Sequence, residues 1–574
     1  MENSRNMILA VLLSALVLFG GNLLTERFFP QPKTPPAQIA PVPGTSPAAP
    51  PAAPAKPVAA SAIIATTARV RIVTAKLNGS INLTGARLDD LTLTQYRQTI
   101  QKDAPAVRLL SPQGTAEGYA ASLGWIAAAG IAVPDANTVW QADGTQLSTG
   151  KPVTLSWDNG AGLTFQQRFA VDENYLFTVD QNVINHGTAP VLVRTTGLIS
   201  RTIASTGKEA AIYAADGHGT SMIHIGPVGV FGNEAHYKIN YSDLDEQGDT
   251  GQRFTTKGGW LGFGETYWLA AFIPSDKTAI DAGFHAAGGQ YLADYKTGET
   301  SIAPGATATT SARLFAGAKE IKLLDRYEEA GIPKFSLAVD WGWFEIIEKP
   351  IFTLLHWLFG IVGNFGVAII ALTFIVRGAM FPVVQRQFAS MARMRSVQPK
   401  MKQLQERYKD DKERLQKETM ALYSKEKINP LGGCLPIFLQ MPVFYGLFKV
   451  LNLSIEMRHQ PFALWVHDLS APDPATVLNL FHYLPFEVHS FFAIGVLPIL
   501  LGVTMYFQFK LNPAPMDPAQ AQVFAFMPWV MMFMMAPFAA GLQLYWIVSN
   551  ILTIAQQKWL YSRQDAAAAE PAKT

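Results

Sequence analysis

A single arginine interrupts an otherwise charge-free apolar run between Phe365 and Val384. Arg377 lies four residues after Thr373, so the two side chains share one face of a helix. Burying an unpaired cation at the centre of a bilayer costs at least about 2.5 to 3.5 kcal/mol on insertion scales. The other apolar runs of span length lack Asp and Glu, so they offer no ion-pair partner. Two interpretations stay open: a hydrated site that attracts an anionic group, or snorkelling of Arg377 to the nearer membrane surface.

Uncharged polar side chains recur in three further apolar runs. In the last run four of them are spaced i, i+7, i+10 and i+14, which places them on one helix face. Such side chains usually face protein or water rather than lipid, and each alone is explained by hydrogen bonding between helices. Together with one unpaired arginine they favour a hydrated cavity. The set comprises Gln440, Thr504, Gln508, Gln543, Asn550, Thr553 and Gln557.

The run before the last is rich in methionine and aromatic residues. Methionine is unbranched and adaptable, so such a surface accepts varied apolar partners, although packing against lipid explains the composition as well. The residues are Phe524, Phe526, Met527, Trp529, Met531, Met532, Phe533, Met534 and Met535.

The elements that position these residues are apolar segments of membrane-spanning length. The charged fraction of the 574 residues is 16%, well below the roughly 25% of soluble domains, which argues against a water-soluble enzyme. A charge-free run of 39 residues, 519–557, is long enough for two spans, divided near Pro537 and Gly541. The predicted spans are an uncleaved signal anchor within 1–29, then 365–384, 431–453, 490–509, 519–540 and 541–560.

The positive charges set the orientation of these six predicted spans. Segment 385–429 carries twelve lysines and arginines, whereas 456–489 carries only Arg458, so the first is expected in the cytoplasm and the second outside. Both termini, including the tail 561–574, then lie in the cytoplasm. Asp410 and Asp411 indicate a turn within 385–429, which predicts a helical hairpin. It is either a solvated loop or a docking arm for a cytoplasmic partner.

The residues between the first two spans form three predicted regions outside the membrane. Segment 30–60 contains eleven of the 37 prolines and is expected to be an extended linker. Segment 61–325 alternates short β-type runs with Gly, Asn and Asp, which predicts a β domain of the sandwich type. Segment 341–361 has an aromatic face opposite a polar stripe, which favours a helix lying flat in the outer headgroup layer over a seventh span.

Several function classes lack their chemistry in this sequence. One cysteine, Cys434, builds neither a disulfide nor a zinc site, and a net charge of +2 does not indicate nucleic-acid binding. Walker-type, HExxH and GxSxG motifs do not occur, so we expect no metal, cofactor or catalytic residues. Two alternatives remain: a solute transporter, or an outer domain acting as a sugar-binding or mutarotase-like enzyme through His218, His224, Glu234, His236 and His285.

Four stretches carry a family resemblance over roughly 341–560: IIALTFIVRGAMFPV from Ile369, KINPLGGCLPIFLQMPVF from Lys427, FALWVHDLSAPDP from Phe462 and GLQLYWIVSNILTIAQQ from Gly541. They resemble the bacterial YidC membrane protein insertases, relatives of the Oxa and Alb proteins, in the Gram-negative form with a large periplasmic domain. The resemblance implies a polytopic α-helical inner-membrane protein with six transmembrane helices, a five-helix insertase core and an all-β periplasmic supersandwich domain.

The resemblance also implies a working site and partners. A groove open to the cytoplasm would contact substrate through Arg377, Thr373, Gln440, Thr504, Gln508, Gln543, Tyr545, Trp546 and Asn550. A hydrophobic slide would consist of Met441, Val443, Phe444, Phe524, Met527, Met531 and Met534. Expected partners are nascent inner-membrane proteins, membrane lipids, the Sec translocon, and a ribosome or signal-recognition-particle receptor at the cytoplasmic hairpin. The tail after Tyr561 is short, so strong ribosome binding through it is not expected.

Overall fold

The computed structural model describes residues 58–203, 223–232, 234–236, 239–276, 279–408, 411–426, 435–476, 478, 494–511 and 518–569. The predicted signal anchor at 1–29 lies outside this part of the chain, as does nearly all of the predicted linker at 30–60. Cys434 and His218 also lie outside it.

Strands dominate the chain from Arg69 to Ala318. They are β1 (Arg69–Val73), β2 (Leu77–Asn82), β3 (Arg87–Arg97), β4 (Ala106–Leu110), β5 (Tyr119–Ala127), β6 (Gln141–Ala142), β7 (Gln146–Leu147), β8 (Val153–Asp158), β9 (Leu163–Val171), β10 (Leu176–Asn185), β11 (Val191–Arg201), β12 (Gly226–Phe231), β13 (Glu234–His236), β14 (Gln252–Lys257), β15 (Gly259–Gly264), β16 (Trp268–Ile273), β17 (Ala279–Ala287), β18 (Gln290–Thr297), β19 (Thr300–Ile302) and β20 (Thr307–Ala318).

Within the described residues these strands form two large sheets, of eleven and nine strands. The first has the order β14-β17-β18-β11-β5-β3-β2-β1-β7, with β4 and β19 paired beside it, and the second runs β13-β12-β15-β16-β20-β10-β9-β8-β6. Alternate residues point inward, as in β10, where Phe177, Val179 and Val183 are buried between more exposed neighbours. Gln167 links the sheets by donating its amide to the carbonyl of Leu123 at 2.8 Å. The β-rich domain expected from the alternating sequence pattern is therefore present.

Helices dominate the remainder of the described chain. They are α1 (Ala60–Ala65), α2 (Tyr241–Gln247), α3 (Ile321–Glu329), α4 (Glu345–Val362), α5 (Phe365–Arg407), α6 (Lys412–Lys425), α7 (Leu435–Leu453), α8 (Val496–Leu511), α9 (Pro518–Met535) and α10 (Ala540–Ala569). Within the described ranges one stretch, Phe365–Gln385, is both long and apolar enough to cross a membrane, while Val496–Leu511 and Gln522–Met535 are shorter apolar helices. The number of spans stays a prediction.

The predicted second span and the first arm of the hairpin form one continuous helix, α5, of 43 residues. Its far end packs against α6 through a small apolar cluster of Val397, Met401 and Tyr423, and through an ion pair of 2.7 Å between Lys400 and Glu426. Asp411 begins α6, because its side chain accepts a hydrogen bond from the backbone N–H of Arg414 at 2.9 Å. A long helix therefore projects from the bundle and is braced by a second one.

Helix α4 occupies the segment expected to lie at the outer membrane surface. Its exposed side chains include Ile346 and Trp357, whereas Phe352 and Leu355 are buried. The polar stripe inferred from the sequence is not wholly solvent-facing, because Glu348 is 0% exposed. Glu348 faces α7, where the small residue Gly446 allows the two helices to approach closely.

Candidate functional site

Arg377 is held by one serine. It lies on α5 and is partly buried, and its Nε donates to Ser549 Oγ at 2.8 Å while its Nη2 donates to the same oxygen. Ser549 lies on α10 and is 2% exposed. Across the described residues no carboxylate forms an ion pair with Arg377. A hydroxyl satisfies two of the five guanidinium N–H donors and none of the charge, so the site retains a positive potential.

Helix α10 places a row of polar side chains beside this arginine. Thr553 Oγ1 donates to the carbonyl of Ser549 at 2.8 Å, one turn along the helix. Asn550 donates from Nδ2 to Thr504 Oγ1 of α8 at 3.2 Å. All members of the row that follow Trp546 are buried: Ser549, Asn550, Thr553 and Gln557. The polar stripe read from the sequence is thus a buried face of α10 that points toward α5 and α8.

A second polar pair joins α7 to α10. The amide of Gln440 donates to the hydroxyl of Tyr545, which is 2% exposed. The amide oxygen of Gln440 is buried and has no hydrogen-bond partner among the described residues, and the same holds for the amide oxygen of Gln508 on α8. Unpaired buried acceptors are costly unless water or a ligand reaches them. Both oxygens are therefore available to a guest molecule or to water.

Two of the expected groove residues, Gln543 and Thr373, donate hydrogen bonds to backbone carbonyls close to them in the chain. Gln543 donates to the carbonyls of Met535 at 3.0 Å and Phe538 at 2.8 Å, which fastens the turn between α9 and α10. Thr373 is 0% exposed and donates to the carbonyl of Ile369 at 2.7 Å, one turn earlier in its own helix. Their side chains shape the helices around Arg377, and the donor groups of both are already engaged there, whereas the amide oxygen of Gln543 has no partner among the described residues.

The expected slide residues differ in exposure. Met441, Phe524 and Met534 are 56%, 45% and 43% exposed. Val443 and Met531 are partly buried against the core, and Met527 is intermediate. Phe444 packs edge-on against Trp546 of α10, with ring centroids 5.0 Å apart. The slide set therefore includes both open apolar surface and helix-packing residues.

Two of the histidines proposed for an outer-domain enzyme, His224 and His285, have structural partners. His224 contacts the carbonyl of Pro227 at 2.8 Å through Nε2, and burial lowers its pKa below the ordinary value. His285 Nδ1 lies 3.2 Å from the Asp294 carboxylate. Glu234 lies on β13, while the side chain of His236 is outside the described set. No group of three metal-ligating side chains occurs among the residues described.

Sequence reasoning missed Ser549. The signal was available, because Ser549 lies four residues before Thr553 and therefore shares a helix face with it. A serine in a span was less conspicuous than the longer amides of Gln543 and Asn550. Helical periodicity would have placed Ser549 on this face, but only the packing of α10 against α5 reveals that it meets Arg377.

The domain arrangement defines a broad class. A large two-sheet β domain is joined to a helical region that contains an apolar helix of span length and a buried polar site around an arginine. This combination is typical of a membrane protein that carries a β-rich domain at one membrane face. Residues 69–354 match the family model described as the YidC periplasmic domain, and residues 357–567 match the 60Kd inner membrane protein model.

Individual relatives agree with the two family models. The chain is 43% identical over 565 residues to a membrane protein insertase YidC of Zymomonas mobilis, with 98% of this chain and 96% of the relative covered. It is 46% identical over 524 residues to the Acidiphilium cryptum protein of the same name, covering 87% and 85% of the two chains. A crystal structure of an active YidC insertase is 16% identical, with a TM-score of 0.37 and 85% and 92% of the chains covered.

The chain belongs to the YidC family of membrane protein insertases. Its family is one of inner membrane proteins with a periplasmic β domain, and its relatives are named insertases rather than enzymes. This agrees with the resemblance noted in the four sequence stretches. The sugar-enzyme alternative is not favoured.

Proposed function

We propose that this insertase attracts the polar part of a client protein to Arg377 and releases the client's apolar helix into lipid between α7 and α9. The observation that carries the proposal is the bonding of Arg377 to a neutral hydroxyl alone within the described chain. Its positive charge is uncompensated and stands beside a buried polar face. An intramembrane cation in such a setting is best explained by a function that uses its charge.

The energetics require no chemical fuel. Each Leu, Ile, Phe or Val that enters lipid contributes about 0.3 to 0.6 kcal/mol on insertion scales, so a full span outweighs a few polar residues. Moving one negative charge toward the positive outer side adds about 2.3 kcal/mol per 100 mV. Arg377 would lower the free-energy barrier to translocation because it offers an acidic client segment a positively charged binding site within a hydrated groove. No covalent step is involved.

The proposed groove residues have different roles in binding the client. Arg377 supplies the charge, and Gln440, Gln508 and Asn550 supply polar contacts, while Tyr545 and Trp546 line the wall. Thr504, Thr373 and Gln543 hold the surrounding helices. The slide would be formed by Met441, Val443 and Phe444 on α7, and by Phe524, Met527, Met531 and Met534 on α9. The exposed fractions of Met441, Phe524 and Met534 support this part of the proposal.

The proposed topology has six spans, of which the last five form the core. Both termini lie in the cytoplasm, the β domain lies in the periplasm, and α4 lies along the outer leaflet. The hairpin of α5 and α6 would dock a ribosome or a signal-recognition-particle receptor, and the Sec translocon would cooperate on longer clients. The length of α5 supports this role, because a helix of 43 residues extends beyond one membrane thickness.

The test compares Arg377→Ala with Arg377→Lys in proteoliposomes, using two versions of one small client that differ only in an acidic or a neutral translocated tail. Protection of the tail from protease measures insertion. We expect Arg377→Ala to slow the acidic-tailed client about tenfold, which corresponds to about 1.4 kcal/mol. Arg377→Lys should retain most of the rate because it keeps the charge.

The neutral-tailed client is the internal control and should insert at nearly the same rate in all three proteins. Equal losses for both clients in Arg377→Ala would contradict the attractor role and indicate a structural one. Equal loss in Arg377→Lys and Arg377→Ala for the acidic client would show that guanidinium geometry, rather than charge, matters.

A further inference from the structure

The two helices of the proposed slide are fastened to the rest of the molecule in different ways. The outer end of α7 continues into a turn, Ile455–Met457, that is embedded in the β domain. Helix α9 packs mainly against α8. This asymmetry has a consequence for how the path between α7 and α9 opens.

Arg458 forms the most specific contact between the turn after α7 and the β domain. Its Nη1 donates to the carbonyl of Arg97 at 2.9 Å, and its Nη2 donates to the carbonyl of Gln98 at 3.2 Å. The guanidinium also lies over the rings of Tyr267 and Trp268, at 5.7 and 5.4 Å from their centroids. A planar fork that binds two carbonyls and stacks on two rings fixes both position and orientation.

Glu456 makes a second contact, to a different element of the β domain. Its Oε1 accepts the backbone N–H of Ile321, the first residue of α3, at 3.0 Å. Its Oε2 accepts the hydroxyl of Ser454 at 3.0 Å, which holds the carboxylate in place. The first N–H groups of a helix lack partners within the helix, so Glu456 caps α3 from the membrane side.

Apolar packing and one lysine complete the joint. Ile455 and Met457 are 2% and 1% exposed, and they belong to one continuous hydrophobic core with side chains of both sheets and of α10. Lys449, one turn before the end of α7, is 1% exposed and donates to the carbonyl of Asp340 at 2.9 Å. The outer end of α7 is therefore fixed by polar bonds, stacking and burial together.

Helix α9 has far less support on the side that faces away from α8. Its contact with α8 is close, because a Cβ at Gly502 would lie 3.2 Å from the Cβ of Met532. Its other side exposes Phe526 and Val530, at 61% and 52%. Within the described part of the chain α9 thus packs closely on one neighbouring helix, whereas α7 contacts several elements, and few packing partners are a feature of an element that moves easily.

We propose that Arg458 and Glu456 are positioning residues that anchor α7 to the β domain, which makes α7 the fixed wall and α9, moving with α8, the mobile wall of the path taken by clients. The inference rests on the proposed slide between α7 and α9. It assigns the β domain a mechanical role: it holds one side of the exit while the other side yields.

The experiment measures distances between spin labels in the full chain, with Cys434→Ser as background. Labels at Asn452 on α7 and Val139 in the β domain report on the anchor, and labels at Asn452 and Val530 report on the path. We expect a narrow distribution for the first pair. The second pair should be broad and should shift to longer distances when a stalled client is bound.

The double variant Arg458→Gln with Glu456→Gln should broaden the anchor distribution and cause a severalfold loss of insertion in proteoliposomes. The matched control is Arg253→Gln, which removes another two-partner arginine, bound to Asp281 and Asp294 on the β domain, and should change neither readout. The labelled chain with intact Arg458 and Glu456 allows the anchor and path distributions to be compared directly, so the anchor is tested even if the double variant does not fold.

An anchor distribution as broad as the path distribution in the wild-type chain would overturn the proposal, as would an unchanged anchor distribution in a folded double variant. Cross-linking a client to Met441 and Met534 separates this inference from the proposed slide. Absent cross-links with a narrow anchor distribution would refute the slide while leaving the anchoring of α7 intact.

Discussion

Arg69 in the β domain and Arg377 in the helical region are bound by their surroundings in opposite ways. Arg69 on β1 pairs with Asp89, and the two side chains are only 6% and 4% exposed. Arg69 also donates to Ser80 Oγ at 2.7 Å, so its donors and its charge are both matched. Arg377 in the helical region has two bonds to one serine and, among the residues described, no acidic partner.

The difference indicates which region is complete by itself. A buried charge with a matched partner supports one fixed structure, and removing the partner leaves an uncompensated charge. A charge without a partner contributes little to such a structure but remains available to a molecule that enters from outside. The matched charges of the β domain thus favour one rigid structure, whereas the unmatched charge of Arg377 is suited to binding an incoming client segment.

Replacing Arg69 by methionine should produce the largest effect on stability. The substitution leaves the buried Asp89 side chain without its cation, and breaking a buried pair in this way costs about 3 to 5 kcal/mol. Hydrogen exchange of the β1 to β3 amides in the detergent-solubilised full chain measures the loss locally. Arg194→Met, which breaks an exposed pair with Glu299, is the control and should cost less than about 1 kcal/mol.

The second prediction concerns the negative charge of Glu348 on α4, which we expect to destabilise the folded chain at high pH. Burial raises the pKa of Glu348 to about 7, so the folded chain prefers the protonated form. Because the pKa of Glu348 is higher in the folded than in the unfolded chain, the free energy of unfolding is highest below the unfolded-state pKa. It falls as the pH rises from that value to about 7. Glu348→Gln should therefore match the wild type near pH 4 and exceed its stability above pH 7, by on the order of 2 kcal/mol.

Thermal unfolding of both proteins between pH 4 and pH 8.5 measures this difference. Glu345→Gln is the control, because Glu345 is 41% exposed and forms an ion pair of 2.6 Å with Lys349 on the same helix. It should show no gain at high pH. A constant difference between Glu348→Gln and the wild type at every pH would show that Glu348 does not titrate in this range.

Arg377→Met should have the smallest effect on stability, although it is the same substitution as Arg69→Met. Among the described residues no carboxylate loses its partner. The lost hydrogen bonds to Ser549 are worth about 1 kcal/mol and methionine removes the cost of a partly buried charge, so the net change should stay within about 1 kcal/mol. Hydrogen exchange of α5 and α10 provides the measurement. A loss as large as that of Arg69→Met would remove the distinction between the two regions.

Much of the architecture could be predicted from residue types and spacing. Alternation of apolar and polar residues indicated the β domain, and the low charge of the later segments indicated helices that avoid water. The four family stretches identified the insertase. What the sequence did not show is that α5 runs unbroken through the predicted span and the first hairpin arm, because Pro382 and Pro399, a residue type that usually ends or kinks a helix, lie inside it.

The sequence by itself determined which side chains share a helix face. Helical periodicity alone places Arg377 with Thr373, and Asn550 with Thr553. Only the tertiary structure decided which neighbour each face meets. Ser549 accepts hydrogen bonds from Arg377, Gln543 donates to the carbonyl of Met535 at the end of α9, and Glu348 is buried against α7. The physical reason is that periodicity is local, fixed by backbone geometry within one helix. The partner depends on how several helices fill space together, through contacts between residues far apart in the chain.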